Sequence, residues 1–204
     1  MINIDEILRK KRQMEERRRT DSLFIKFEEG DNIFRFLPIG DLFYKEVYKH
    51  RVKNKFYVCP KTFGEDKNCP ICEKVALLRE EGQLEEAREL AAVGRFYSVV
   101  VKKVENGEQI GIISYGNSIW SMLAGLILDK EWGDFTDPKN GYAINIRRIG
   151  KGLETEYQVL PRPKKPIPEA KWKEWMEKKP DLDVVFKVLS YENLVEVLEG
   201  LVEE

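Results

Sequence analysis

Four residues of the types that bind metal ions lie close together in this sequence. The only histidine, His50, and all three cysteines, Cys59, Cys69 and Cys72, fall between positions 50 and 72. Structural zinc takes four nitrogen or sulfur ligands in a tetrahedron, and three cysteines with one histidine is a standard set. The Cys69–Cys72 pair brackets a tight turn, so both thiolates can reach one ion. The sequence therefore predicts one structural Zn²⁺ held by these four side chains.

Catalytic and redox uses of the same residues fit the sequence less well. Zinc deaminases need a glutamate two residues after the histidine and a proline before the cysteine pair. Here Val52 stands at the first of these positions, and Pro70 lies inside the pair. Four protein ligands also leave no open coordination position for water. We expect no enzymatic activity; a zinc-dependent enzyme, a redox cysteine pair, and three buried thiols with a surface histidine stay as alternatives.

The overall composition excludes several classes of protein. The chain has 204 residues, 42% of them hydrophobic, which is enough for a folded core. Its longest nearly apolar stretch, 119–128, is about half of the ~20 residues that a membrane-spanning helix needs. The N-terminus lacks the apolar region of a secretory signal, and three cysteines fit disulfide pairing poorly. We expect a cytoplasmic protein without a membrane partner.

Positive charge is concentrated in parts of a chain that is nearly neutral overall, with 35 basic and 36 acidic residues. Between Lys45 and Lys61, six basic residues are interleaved with aromatic ones against a single acid, whereas residues 166–204 hold five basic and ten acidic residues. Such mixtures bind single-stranded nucleic acid, because cations follow the phosphates and rings stack on bases. Strand aromatics can equally belong to the core. The candidate contacts are Lys53, Lys55, Tyr57, Arg95, Phe96, Tyr97, Lys102, Arg147, Arg148 and Tyr157.

The elements that would position these residues are mostly short strands. Apolar residues alternate from Leu23 onward, and turn signals such as Asn106–Gly107 join strands into hairpins. Helical patterns include one broken at Gly82, one capped by Asn117 and a last one behind Ser190. This pattern predicts a mainly β fold with helices, of the α+β class. An OB-fold-like five-stranded barrel with an inserted zinc subdomain and C-terminal helices suits it, although periodicity alone does not distinguish this from other β-barrels.

The chain divides into three predicted regions. Residues 1–22 form a basic N-terminal arm, in which Arg9–Arg19 holds seven basic residues against two glutamates. Residues 23–165 form the OB-fold core, with the zinc insert at about 50–93. Residues 166–204 form acidic C-terminal helices packed on the core.

Several segments resemble, in matching order, the family of T-even bacteriophage single-stranded-DNA-binding (helix-destabilising) proteins. The segments are FRFLPIG (34–40), HRVKNKFYVCPKTFGEDKNCPICEKV (50–75), RFYSVVVKKV (95–104), YGNSIW (115–120) and SYENLVEVLEGLV (190–202). The order and spacing of the histidine and the cysteines are the most specific part. The resemblance extends over roughly residues 30–202.

The resemblance implies an OB-fold core with a zinc subdomain and a cleft that binds single strands cooperatively and without sequence preference. It implies zinc ligation by His50, Cys59, Cys69 and Cys72. It implies nucleic-acid contacts at Arg35, Tyr57, Arg95, Phe96, Tyr97 and Tyr157. A basic run followed by a hydroxyl residue serves head-to-tail cooperativity in that family, and here Arg17, Arg18, Arg19 and Thr20 resemble it.

Residues and resemblance together predict a sequence-nonspecific, cooperative single-stranded-DNA-binding protein that acts in phage DNA replication, recombination and repair, in the host-cell cytoplasm. Its partners would be single-stranded DNA, further copies of itself along the strand, and phage replication proteins. A zinc-stabilised RNA-binding module stays open as an alternative, because no residue identifies a reader of the 2′-hydroxyl. A protein–protein scaffold of a replication complex is the other alternative.

Overall fold

The computed structural model describes residues 3–200, apart from the side chains of Gln13, Glu16 and Arg17. The ends of the predicted arm and of the predicted C-terminal region, residues 1–2 and 201–204, lie outside the described residues. The chain divides into two compact units. Unit 1 comprises Met1–Lys45 and Tyr97–Asp181, and unit 2 comprises Glu46–Phe96 and Leu182–Glu204. None of the described helices is long and apolar enough to cross a membrane.

Seven strands and seven helices make up the described part of the chain. The strands are β1 (Gly30–Leu37), β2 (Lys45–Val52), β3 (Lys55–Val58), β4 (Val93–Val104), β5 (Gly107–Tyr115), β6 (Tyr142–Ile149) and β7 (Glu156–Lys164). The helices are α1 (Ile4–Ser22), α2 (Pro70–Glu80), α3 (Leu84–Leu90), α4 (Asn117–Leu128), α5 (Glu169–Lys178), α6 (Leu182–Val185) and α7 (Tyr191–Glu199). This combination confirms the α+β class predicted from the sequence.

Unit 1 contains a sheet in which the strand order is β5–β4–β1–β6–β7. β1 lies antiparallel between β4 and β6, with Phe36 opposite Val100 and Phe34 opposite Ile144. All four of these side chains are completely buried. The alternation of apolar residues along β1 therefore turns one face of the sheet toward the core, as a period of two residues requires.

Aromatic rings fill the core of unit 1. The ring centroid of Phe135 lies 5.1 Å from those of Phe36 and Phe43 and 6.1 Å from that of Tyr142, in tilted or edge-to-face arrangements. Each such pair adds about 0.5–1.5 kcal/mol beyond the burial of apolar area. The stability of unit 1 therefore comes from close packing of large apolar side chains.

The sheet of unit 1 does not close into the predicted barrel. Within residues 3–200, β5 pairs with β4 and forms one isolated parallel bridge, between Phe24 and Ile112, but no pairing joins it to β7. β7 contains Pro161 and Pro163, which have no N–H to donate to a further strand. Proline in a sheet is confined mainly to edge strands, so the sequence of β7 makes it an edge.

Helix α1 has the residues that begin and stabilise a helix. The side chain of Asn3 caps it by accepting a hydrogen bond from the backbone N–H of Glu6 at 3.1 Å. Acids in the first turn and Arg19 in the last turn match the helix dipole. Its short apolar stripe, which includes Ile4 and Ile7, is exposed. The predicted basic arm is thus helical through its described residues.

Unit 2 is built from the β2–β3 hairpin and helices that include α2, α3 and α7. Lys53 and Asn54 have φ of 46° and 65°, which both central residues of a type I′ turn need. This two-residue turn places His50 opposite Tyr57. Gly82, with φ of 78°, separates α2 from α3, as predicted.

The core of unit 2 contains two of the three cysteines. Cys59 and Cys69 are 0% and 1% exposed and belong to one buried cluster with Ile71 of α2 and Leu194 of α7. Helix α7 begins behind Ser190, whose side chain accepts a hydrogen bond from a backbone N–H in the first turn, as the sequence predicts. Cysteine sulfurs and aliphatic side chains therefore share a single small core.

Candidate metal centre and nucleic-acid contacts

Local structure brings the four predicted metal ligands together. His50 lies in β2, and the N–H of Cys59 donates to the carbonyl oxygen of Tyr48 at 2.8 Å, which continues the hairpin beyond β3. Cys69 is the N-cap of α2, and Cys72 lies in the first turn of that helix. Pro70 occupies the first helical position, where its missing N–H would have no partner within the helix. The hairpin thus supplies two ligands and the start of α2 supplies the other two.

The ligand atoms are spaced as a tetrahedral zinc site requires. All four lie within 4.8 Å of one another. Nε2 of His50 is 3.4 Å from Sγ of Cys69 and 3.5 Å from Sγ of Cys72, and Sγ of Cys59 is 3.6 Å from Sγ of Cys72. Zinc–sulfur and zinc–nitrogen bonds of about 2.3 and 2.0 Å place tetrahedral ligands roughly 3.5–3.8 Å apart. These three separations fit this value. The distance between the sulfurs of Cys59 and Cys72 is too long for a disulfide, and all three cysteines are free thiols.

The orientation of the histidine ring is fixed by a backbone carbonyl. Nδ1 of His50 lies 2.8 Å from the carbonyl oxygen of Leu90. Because a carbonyl oxygen can only accept, Nδ1 carries the proton, and the lone pair of Nε2 points toward the sulfurs. A hydrogen bond of this kind to the second ring nitrogen orients metal-ligating histidines generally.

The three sulfurs differ in how readily they lose a proton. A hydrogen bond from Cys59 lowers the pKa of the Cys69 thiol. The pKa of Cys59 is raised by its hydrogen bond to Cys69 and by burial, and burial also raises the pKa of Cys72. A second or third thiolate is disfavoured there, because like charges repel strongly in a buried site. A divalent cation would remove that penalty and hold all three cysteines as thiolates.

The donor set, the spacing and the burial together fit one structural zinc ion. His50, Cys59 and Cys69 are buried and Cys72 is half-buried. Four protein ligands would fill the coordination shell and leave no position for a reacting water.

The β2–β3 hairpin of unit 2 presents a basic and aromatic surface. Lys53 and Lys55 are exposed, and Tyr57 is half-buried. Phe56 is 69% exposed and lies opposite Arg51 across the hairpin. An exposed ring beside cations can stack on a base while the cations contact phosphates.

The predicted contacts around the start of β4 divide into exposed and buried residues. Arg95 is exposed, whereas Phe96 and Tyr97 are only 8% and 4% exposed. Within unit 1, the ring of Tyr97 meets that of Phe24 edge-on, with centroids 6.3 Å apart. The structure therefore places the rings of Phe96 and Tyr97 in the interior, with little surface for stacking on a base.

Two further basic residues of unit 1 already have protein partners. Arg35 is 8% exposed and donates from Nη2 to the carbonyl oxygen of Asp137 at 2.6 Å. Burial lowers the pKa of its guanidinium. Lys102 Nζ lies 2.9 Å from a carboxylate oxygen of Glu28. The side chain of Lys102 is only 15% exposed, so neither residue is an open contact for a phosphate in this conformation.

The contacts predicted on β6 and β7 occupy both faces of the sheet. Arg148 donates to the carbonyl oxygen of Phe27 at 3.2 Å, and the ring of Tyr157 lies 5.5 Å from that of Phe27. Arg147 projects to the opposite face, where its Nε donates to Oδ1 of Asp31 at 2.6 Å. Among Arg147, Arg148 and Tyr157, only Arg147 therefore lies on the face of the sheet that carries Asp31.

The predicted cooperativity residues lie in the last turns of α1. Arg18 and Arg19 are exposed and Thr20 is half-buried. Arg17 belongs to the same helix, but its side chain lies outside the described residues.

Sequence reasoning chose Tyr57 and did not choose its neighbour Phe56 or the more distant Arg162. A signal for Phe56 was present in the chain. A two-residue turn at Lys53–Asn54 fixes the register, so that Tyr57 falls opposite the metal ligand His50 and the ring of Phe56 must point to the other face.

Two comparisons with known proteins bear on this arrangement. No curated protein matches the chain with significant sequence similarity. A family model with the description gp32 DNA binding protein like matches residues 28–201, which include all four candidate metal ligands and most of both units. On this match over most of its length, the chain belongs to the gp32-like family of DNA-binding proteins.

Proposed function

We propose that this protein binds single-stranded DNA without recognising its base sequence. Family membership supports DNA binding, and the structural observation that carries the proposal is the β2–β3 hairpin. There Phe56 is 69% exposed, with Arg51 opposite it and Lys53 and Lys55 beside it in sequence. Every base has a face on which a ring can stack and every nucleotide has a phosphate, so such a surface binds without regard to sequence.

A zinc ion held by His50, Cys59, Cys69 and Cys72 would have a structural role. It would join the hairpin, on the side of His50 away from the turn, to the first turn of α2, because each of these elements supplies two ligands. The hairpin would then keep its shape before DNA arrives. Preorganisation of this kind raises affinity because less conformational freedom is lost on binding.

The proposed setting is DNA replication, recombination and repair of a phage, in the cytoplasm of the host cell. The protein would coat exposed strands without catalysing a reaction. Copies would bind side by side, with Arg17, Arg18, Arg19 and Thr20 of α1 contacting the neighbouring copy. Phage replication proteins would be further partners.

A fluorescence-anisotropy titration tests the proposal directly. A labelled oligothymidylate should bind more tightly than a duplex of the same length, and its affinity should fall as salt is added. For single strands the logarithm of the affinity falls with the logarithm of salt concentration by about 0.7 per neutralised phosphate. Equal affinity for the duplex, or an affinity independent of salt, would contradict the proposal.

Two lysine variants locate the contact. Lys55→Ala should reduce the salt slope by about 0.7, the value for one phosphate contact. Lys130→Ala removes the same charge from an exposed position of unit 1 after α4 and should leave the slope unchanged. If both variants behave alike, the hairpin is not the contact surface.

Competition with an RNA of equal length separates DNA from RNA binding. Preference for the DNA strand is expected. If RNA displaces DNA at lower concentration, the RNA-binding alternative replaces the present proposal. Absence of binding to any oligonucleotide at low salt would instead favour a scaffold.

A further inference from the structure

One face of the unit 1 sheet gathers two arginines, an aspartate and an asparagine from three neighbouring strands. Asp31 of β1 lies opposite Arg147 of β6, and Asn145 lies two residues before Arg147 on the same face. Arg162 of β7, the strand on the far side of β6 from β1, has its Nη2 3.6 Å from Oδ2 of Asp31. We call Asp31, Asn145, Arg147 and Arg162 the arginine face.

The carboxylate of Asp31 is held by both arginines. Arg147 donates from Nε to Oδ1 at 2.6 Å and from Nη2 to Oδ2 at 3.4 Å, and Arg162 lies beside the same Oδ2. The hydrogen bond from Arg147, the amide of Asn145 and the two nearby positive charges lower the pKa of Asp31 to about 2. Two guanidinium groups thus share one carboxylate, which leaves one net positive charge on this face.

Two donors on the arginine face lack a well-placed acceptor. Among the described residues, Nε of Arg162 is buried without a hydrogen-bond partner, and Nδ2 of Asn145, in a residue 1% exposed, is buried with no acceptor in hydrogen-bond geometry although the Asp31 carboxylate is its neighbour. Buried polar atoms without partners are rare and destabilising. A ligand with more acceptor oxygens than a carboxylate would satisfy them. A phosphodiester has two free oxygens and two ester oxygens in a tetrahedral arrangement.

Apolar side chains flank the unsatisfied amide. Across the sheet, Asn145 lies between Ile33 of β1 and Leu160 of β7. These two side chains are 44% and 39% exposed. A nucleotide whose phosphate contacts Asn145 would find apolar surface for its sugar and base on both sides.

We propose that Arg147, Arg162 and Asn145 form a binding site for a backbone phosphate of single-stranded DNA, and that the Asp31 carboxylate occupies this site in the DNA-free chain. This inference rests on the proposed function and adds to it an internal competitor. Asp31 is the second residue of β1, follows Gly30 at a φ of 88°, and has a side chain 40% exposed, so the carboxylate can rotate into solvent when a phosphate replaces it. The aspartate lowers affinity for DNA and keeps the arginines ordered until DNA binds.

The decisive experiment measures affinity for a labelled oligothymidylate with three variants of the full chain. Asp31→Asn removes the competitor and should tighten binding by roughly fivefold, the upper value for a single exposed ion pair. Glu29→Gln removes an equal charge two residues away, from a side chain that pairs with Lys151 at 3.3 Å. It should change affinity less than twofold, because at that distance only screened long-range repulsion is lost. In an Arg147→Gln background, Asp31→Asn should tighten binding less than it does in the wild type, because only Arg162 is left for the aspartate to compete for.

Asn145→Leu gives an independent test that does not require Asp31 to be replaced. In the DNA-free chain the buried amide has no partner in good hydrogen-bond geometry, and the Asp31 carboxylate beside it is also held by the arginines, so an apolar side chain of similar size should leave the melting temperature unchanged or raise it. Affinity for the oligothymidylate should nevertheless fall. A purely structural role for Asn145 predicts the opposite combination, a lower melting temperature with unchanged affinity.

The outcomes separate this inference from the proposed function. If the wild type binds and Asp31→Asn does not tighten binding, or tightens it no more than Glu29→Gln does, the competitor role is wrong and the proposed function stands. If Asp31→Asn is unfolded by circular dichroism, the affinity and melting temperature of Asn145→Leu decide. A wild type that binds no oligonucleotide at low salt overturns both.

Discussion

The two units of this chain use their polar residues in opposite ways. In unit 2 the polar ligand atoms lie in the core, where Cys59 and Cys69 pack among aliphatic side chains. In unit 1 the core is formed by packed rings such as Phe36 and Phe135, and charged groups such as Asp31 lie on the surface of the sheet. A zinc ion at these ligands would couple the stability of unit 2 to metal binding, whereas the stability of unit 1 comes from packing.

The basic side chains on the two units differ in their contacts within the protein. On the unit 2 hairpin, Lys53 flanks an exposed ring and is itself exposed. On the unit 1 sheet, Arg147 is bound to Asp31. A polyanion that bound Arg147 would have to replace its contact with Asp31, whereas the ring of Phe56 on the hairpin is already exposed. Variants that affect one unit and spare the other test this difference.

The largest effect is expected from Cys69→Ser. It should abolish stoichiometric zinc binding and lower the melting temperature strongly, because structural zinc contributes about 10–16 kcal/mol in isolated zinc-finger peptides. Metal analysis and thermal unfolding measure this. Hydrogen exchange should show lost protection in 46–96 while β1 and β6 stay protected. Wild-type metal content and melting temperature in this variant would show that zinc does not stabilise unit 2.

Phe135→Ala is the matched change in the core of unit 1. Phe135 is completely buried and contacts Phe36, Phe43 and Tyr142. The cavity should reduce the free energy of unfolding by about 3–5 kcal/mol, measured by urea denaturation. Zinc content should stay at the wild-type level. Loss of zinc from this variant would mean that the two cores are not independent.

Phe56→Ala should weaken binding without destabilising the fold. Stacking on an aromatic ring contributes about 1–3 kcal/mol per base, so affinity for an oligothymidylate should fall roughly 5- to 150-fold. The melting temperature should not change, since the ring is 69% exposed. Phe56→Leu keeps an apolar side chain without a ring and serves as the control. If leucine restores full affinity, the contact is apolar rather than stacking.

The smallest effect is the acid dependence of Asp31. Its pKa is lowered from 3.8 to about 2, chiefly by the hydrogen bond from Arg147. A carboxyl with a lowered pKa contributes stability above its unfolded value and loses that contribution as the pH falls through its folded value. The melting temperature of the wild type, compared with that of Asp31→Asn, should therefore fall as the pH is lowered from about 5 to about 2. The change should be no more than about 2–4 °C, because the Asp31 side chain is exposed. A constant difference over this range would show that the carboxylate is not held by the arginines.

The sequence was most informative where local chemistry decides the structure. Clustering of His50 with the cysteines indicated a shared site, and Ser190 and Gly82 marked a helix start and a helix break correctly. The hairpin near Asn106 is present as well, with its turn one residue earlier than predicted. The cap of α4 was wrong by one residue, since the helix begins at Asn117 behind Gly116.

The burial of individual strand residues and the closure of the sheet could not be predicted in the same way, because both depend on pairing between distant strands. Tyr97 and Phe56 both lie on strands amid basic residues, yet Tyr97 is 4% and Phe56 is 69% exposed. Which face of a strand is buried depends on pairing between segments far apart in sequence. The prediction of a closed barrel was wrong for a related reason. Closure requires a further strand to pair with β7, and Pro161 and Pro163 cannot donate the hydrogen bonds for that pairing.

These two prolines also disfavour aggregation through the edge of the sheet. An edge strand with free N–H groups is a template on which another chain can add, and fibrils grow in this way. Positions 161 and 163 cannot donate a hydrogen bond to an incoming strand. If many copies are crowded onto one polynucleotide, this border of the sheet resists fibrillar growth even at very high local concentration.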